Sequence, residues 1–336
     1  MISRRLAVFA VFAAAVLGGC ATPQMLNRFS ADTGYRLTPG LLYDRTLNLA
    51  LDVYQPEQAS GAPVVVFFHG GRWSEGDKNQ YKFVGQALAS RGFVAVIPDF
   101  RQYPAVRFPA FVEDAARAVR WARNAARAYG GDPAQLFVMG HSSGAHIAAL
   151  LALNEDYLKA VGGSRTWLRG MIGLAGAYDF MPITAPDLRD IFGPVEKFAL
   201  SQPIYYVDGQ NPPLLLIHGR DDKVVPVKNT ENLARAVAKA GGPVETVIYE
   251  SLSHAMVIGS LASYLRGRAD VLDNIEDFIQ RTVKTPQAVR RPVEIQATPL
   301  IIEDTRDLRT QELPPSPAGP IEDSGADPAR PVPVAP

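Results

Sequence analysis

From Leu49 to about Thr282 the chain alternates short, near-continuous apolar runs with amphipathic stretches, and no other feature limits its fold so strongly. Such runs suit strands whose two faces are both covered, and parallel strands need a long crossover, usually a helix, between them. The predicted strands are Val64 to Phe68, Phe93 to Ile97, Leu136 to Met139, Met171 to Leu174, Leu214 to Ile217 and Val244 to Tyr249. Leu49 to Tyr54 alternates as an edge strand would. Val112 to Tyr129 places Val112, Ala115, Ala116, Val119, Ala122 and Ala126 at helical spacing, and Ala145 to Leu153, Asn229 to Ala240 and Ala269 to Ile279 read as further helices. The pattern predicts one α/β domain, with a mostly parallel central sheet flanked by helices on both faces.

The two ends stand outside this pattern. Arg4 and Arg5 precede the apolar run Leu6 to Leu17, and Leu17-Gly18-Gly19-Cys20 follows. Twelve residues of helix rise about 18 Å, short of the roughly 30 Å of a hydrocarbon core, so the run reads as a signal segment and not a span. It resembles a bacterial lipoprotein signal, which implies lipidation of Cys20, membrane attachment through that anchor, and an address in the cell envelope. Cys20 is the only cysteine, so the fold stands without internal disulfides. Beyond Thr285, 11 of the last 51 residues are proline and none is aromatic, too little apolar surface to offset ordering entropy. The expected organisation is a signal peptide over 1–19, a linker over 20–40, the α/β catalytic domain over 41–285 and a disordered proline-rich tail over 286–336. Lys plus Arg equals Asp plus Glu at 34 each, without a long basic run, which argues against nucleic acid as a partner. No obligate protein partner is evident.

Chemistry enters at Gly140-His141-Ser142-Ser143-Gly144, directly after a predicted strand and at the start of a predicted helix. A serine on that sharp turn is held clear of the backbone, while the flanking glycines let strand and helix approach. Ser142 then needs a base. Of the five histidines, His69 ends a strand and suits orienting the loop after it, and His141 should diverge from its neighbour Ser142. His146 lies one helical turn on, packed behind the elbow, and His218 closes a strand. His254 remains, on a loop after the last strand. Between Ser142 and His254 in chain order, the turn His218-Gly219-Arg220-Asp221-Asp222 offers two aspartates for the acid.

Four segments now resemble the esterase/lipase branch of the α/β-hydrolases that includes feruloyl-esterase-like, isoprenylcysteine methylesterase-like and kynurenine-formamidase-like enzymes. They are Leu51-Asp52-Val53-Tyr54 with Pro56, His69-Gly70-Gly71-Arg72-Trp73, Gly140 to Gly144, and His218 to Pro226 followed by His254. The resemblance implies an α/β-hydrolase fold, Asp222 as the acid of an HG-x-x-D-x-x-VP pattern, and an oxyanion hole using Gly70, Gly71 or Arg72. Ser143, after the nucleophile, is placed to add its own N–H. Arg72 stands where lipases carry a third glycine, and Trp73 and Tyr178 are candidates to line the substrate pocket, together with segments 155–170 and 178–212.

The resulting expectation is a serine carboxylesterase acting on small carboxylic esters through Ser142, His254 and Asp222 and an acyl-enzyme. An amide hydrolase on the same residues, and an inactive hydrolase-fold binding lipoprotein, are the alternatives. No cofactor or metal is implied: H-E-x-x-H is absent, and His141 and His146 stand five residues apart, off one helix face.

Overall fold

Eight strands form one sheet, and the computed structural model describes residues 23–28, 30 and 33–286 of the chain. These lie in one unit, Met1–Arg290; a second, Arg291–Pro336, is outside the described residues, as are the signal segment, Cys20 and the tail beyond Pro286. Helix α1 (Pro23–Arg28) precedes β1 (Tyr35–Asp44), β2 (Leu49–Pro56) and β3 (Ala62–Phe68). Then follow α2 (Lys82–Ser90), β4 (Val94–Pro98), α3 (Ala110–Ala125), β5 (Gly131–His141), α4 (Ser143–Leu153), α5 (Asp156–Ala160) and β6 (Leu168–Leu174). The last elements are α6 (Pro186–Phe192), β7 (Leu214–Gly219), α7 (Lys228–Lys239), β8 (Val244–Tyr249), α8 (His254–Gly259) and α9 (Val271–Lys284).

The sheet order is β1-β2-β4-β3-β5-β6-β7-β8, antiparallel at β1/β2 and β2/β4 and parallel elsewhere. Its side chains alternate between two cores. Val64, Val66 and Phe68 of β3 join one with Val112 and Val119 of α3, while Val65 and Phe67 join the other with Val84 of α2 and Phe278 of α9. All five of those β3 side chains are fully buried, and each contributes about 1.5–3 kcal/mol by leaving water. Helix α4 is buried at all eleven positions, so its sequence is apolar all round and not striped.

Two expectations change. Leu49 to Tyr54 is not an edge strand: β2 lies between β1 and β4. The edge is β1, whose first six residues fall in the stretch expected as a linker. An edge strand buries little, and only one of the ten β1 residues is buried, so no apolar run marks it. Its register shifts between Thr38 and Leu41, where Pro39 and Gly40 sit, the kind of irregular edge position that tolerates proline. Helix α1 also falls in that stretch, with Leu26 buried in the second core.

Candidate active site

The parallel strands all point the same way, so the loops after β3, β5, β7 and β8 gather at one end of the sheet, where α/β folds place their sites. Ser142 sits between β5 and α4 with φ 55° and ψ −121°, a backbone conformation costing about 1–3 kcal/mol that only rigid surroundings maintain. The glycines around it are sterically required. A Cβ on Gly140 would lie 2.2 Å from the Gly144 carbonyl oxygen, and one on Gly144 would lie 2.0 Å from the carbonyl oxygen of Phe68. The Ser142 N–H donates to Leu174 O at 2.9 Å, tying the elbow to β6. Ser143 opens α4, so its N–H has no acceptor within the helix.

The loop after β3 lies against this elbow. A Cβ on Gly70 would come within 3.2 Å of Ser142 Cβ. Gly71, at φ 132°, accepts from the N–H groups of Ser74 and Glu75 at 3.0 and 2.8 Å, and a Cβ there would sit 1.9 Å from the Glu75 carbonyl oxygen. Arg72 and Trp73 follow with φ of 53° and 61°. His69, expected to orient this loop, has Nδ1 2.8 Å from Gly70 O and is stacked between Phe100 and Tyr81. The Arg72 guanidinium is held in a fork by Asp187 of α6, at 2.6 and 3.1 Å.

Asp222 is buried after β7, whereas the side chain of Asp221 is 60% exposed with Lys223 3.9 Å away. One Asp222 oxygen accepts from the N–H groups of Val224 and Val225, each at 2.8 Å. The other accepts from His254 Nδ1–H at 2.7 Å and from His218 Nε2–H at 3.1 Å. Burial pushes this carboxyl up, but the bonds from His218 and His254 outweigh it and hold the group well below the usual carboxylate range. His218 also donates to Val225 O and meets the Thr230 hydroxyl through Nδ1 at 2.8 Å. Its part in holding Asp222 was not anticipated; the signal was its place four residues before the acid.

Ser142 and His254 face the same pocket of about 380 Å³, lined also by Gly71, Arg72, Trp73 and Ser143. Gly70 does not line it, although it packs on the elbow. His141 does not turn away as expected: it lines the pocket, its ring lies 4.7 Å from that of His254, and its Nε2 donates to the His254 carbonyl at 3.2 Å. Burial, then the charge of His254, hold His141 well below the ordinary histidine value.

Tyr178, expected to line the pocket, is turned into the core. It is fully buried against Gly173 and Gly176, which leave room for its ring, and it does not line the pocket. Phe180 and Leu188 line it instead, with Val224, Val225, Pro226 and Asn229 opposite. Segment 155–170 contributes nothing to it. Trp73 does line it, and is anchored through its indole N–H on His146. A second cavity of about 360 Å³, between Arg169, Asn211 and Arg281 at the start of β6 to β8, is lined by no serine, cysteine or histidine.

The sequence profile of the BD-FAE family matches residues 51–237, more than half of the chain. The chain belongs to the BD-FAE family. Isoprenylcysteine alpha-carbonyl methylesterase ICME of Arabidopsis thaliana is 31% identical over 252 residues, covering 68% of this chain and 58% of that one. Esterase LipQ of Mycobacterium tuberculosis is 30% identical over 250 residues, with the same coverage of 68% and 58%. The chain thus spans less than two thirds of the length of these curated relatives. Among solved structures, Thermogutta terrifontis esterase 2 phosphonylated by sarin superposes with a TM-score of 0.63 at 25% identity, covering 75% of this BD-FAE chain and 96% of that protein. These matches agree with the α/β-hydrolase fold seen here.

Proposed function

We propose that this protein is a serine carboxylesterase that hydrolyses small carboxylic esters. The observation that carries the reading is the 2.7 Å bond from His254 Nδ1–H to buried Asp222, with His254 and Ser142 facing one pocket. In this reading His254 Nε2 takes the proton of Ser142 as its oxygen attacks the ester carbonyl carbon. The tetrahedral oxyanion is stabilised by backbone N–H groups of Gly71, Arg72 and Ser143, each such donor being worth about 3–4 kcal/mol to the barrier. Collapse breaks the ester C–O bond, and His254 returns the proton to the departing alcohol. Water then attacks the acyl-enzyme with His254 again as base, releasing the carboxylic acid and restoring Ser142. Asp222 fixes the His254 tautomer throughout.

The esterase relatives support this reading, and the sarin adduct of the Thermogutta enzyme shows that a similar protein reacts with an organophosphorus agent. The direct test is labelling with a fluorophosphonate followed by peptide mapping. A single adduct on Ser142, absent in Ser142→Ala, is expected. An adduct elsewhere, or a folded Ser142→Ala protein that keeps most of its esterase activity, overturns the assignment.

The sequence before the domain supports a further proposal, that Cys20 is lipidated and anchors the protein in a bacterial cell envelope. Mass spectrometry of the mature N-terminus tests it: an acylated Cys20 is expected, and an unprocessed Met1 or an unmodified terminus counts against it.

A further inference from the structure

Resting on the esterase reading, we propose that Glu75 selects the substrate, favouring esters that present a positive charge at the mouth of the pocket. Apart from the histidines His141 and His254, the titratable side chains of opposite sign lining the pocket are Arg72 and Glu75. The guanidinium of Arg72 is already matched by the two oxygens of Asp187. Glu75 is exposed and has no hydrogen-bond or ion-pair partner for its side chain among the described residues. One uncompensated carboxylate therefore stands at the lip.

Its position is fixed by the same turn that shapes the oxyanion loop. The Glu75 N–H donates to Gly71 O at 2.8 Å, and the Glu75 carbonyl occupies the space that a side chain on Gly71 would need. The carboxylate is thus carried on a pinned backbone four residues from a proposed oxyanion donor. The aromatic rings of Trp73, Tyr81 and Phe180 line the same pocket, and aromatic faces attract alkylammonium groups. Carboxylate and rings together favour a cation with an apolar body, such as a quaternary ammonium or amino-alcohol ester. They disfavour esters that carry a second, free carboxylate.

The test compares butyrylcholine with its neutral isostere, in which a tert-butyl group replaces the trimethylammonium. The two differ by one charge and almost nothing in shape. At low salt the wild-type ratio of kcat/KM, cationic over neutral, is expected to be about five- to tenfold, as a charge pair separated by several Å at a wet surface gives. The ratio shrinks at high salt through screening. Glu75→Gln brings it towards unity and Glu75→Lys inverts it. Both esters are assayed on one preparation, so any loss of folded enzyme cancels in the ratio.

A ratio unchanged in both variants overturns the proposal and leaves the esterase reading intact. So does a wild-type enzyme that hydrolyses neutral butyrate esters but not butyrylcholine. Turnover of both esters by Ser142→Ala at the wild-type rate overturns the esterase reading, and this proposal with it.

Discussion

Trp73 donates its indole N–H to Nδ1 of His146 at 3.1 Å, and His146 passes its own Nε2–H to the carbonyl of Ser201 at 2.7 Å. This relay needs a neutral imidazole in one tautomer, and burial holds the ring there by lowering its pKa to about 4. It links the loop that carries the proposed oxyanion donors to the segment that packs over α4. His146→Leu removes both partners at once and leaves two buried groups unsatisfied. A stability loss of about 2–5 kcal/mol is expected from denaturant unfolding. A drop in kcat larger than the change in KM should accompany it, as Trp73 and its loop lose their anchor.

The proposed catalytic unit is tested by combination. Ser142→Ala and His254→Ala should each lower kcat by several orders of magnitude, and the double variant should cost little more, because the residues act together. Asp222→Asn should be severe, since it loses the charge and the tautomer control that four donors now support. Asp221→Asn, at an exposed site, should leave kcat within about twofold. Steady-state kinetics on a chromogenic short-chain ester decides between the two aspartates.

Gly144→Ala should prevent folding or destabilise the protein by more than about 3 kcal/mol, since the added methyl meets backbone oxygen that cannot move without displacing β3. Gly162→Ala is the comparison. That glycine has φ 74° but open space around it, so it should cost only about 1 kcal/mol of backbone strain. Thermal unfolding of both variants separates steric from conformational cost.

Acid should destabilise the fold before general carboxylate titration sets in. Burial lowers His69 and His146 to about 4 and holds His141 well below the ordinary histidine value. Between about pH 6.5 and 4 the unfolded chain therefore binds protons that the folded chain does not, and stability falls as pH drops through that window. His69 and His146 each contribute about 3 kcal/mol across it. Asp222 acts in the same direction at lower pH: its depressed folded pKa gives stability at neutral pH that is lost as pH falls through and below the ordinary carboxylate range. Urea midpoints at pH 7 and 4.5 measure the first effect, and His146→Gln should reduce the slope between them.

The parallel strands were legible because burial on both faces leaves uninterrupted apolar runs, as in Val64 to Phe68. β1 was not legible, because an exposed edge strand with Pro39 and Gly40 looks like a linker. The elbow, His254 and the acidic turn could be read from motif and chain order. Spacing alone did not separate Asp221 from Asp222; that depends on which one the turn folds inward against His218. Tyr178 and Phe180 illustrate the limit for pocket residues. They stand two apart in an irregular segment, and only the glycine-lined space beneath β6 decides that the first is buried and the second faces the pocket.

Asp222 receives four hydrogen bonds, filling the roughly four lone-pair directions that a carboxylate offers. No direction is left over for a proton or a water molecule. In the proposed cycle the aspartate is therefore a spectator in mass but not in field: protons travel only between Ser142, His254, substrate and water, and the counter-charge beneath them stays constant. Acylation and deacylation then run against the same electrostatic background, so one histidine serves both halves of the reaction without any resetting step.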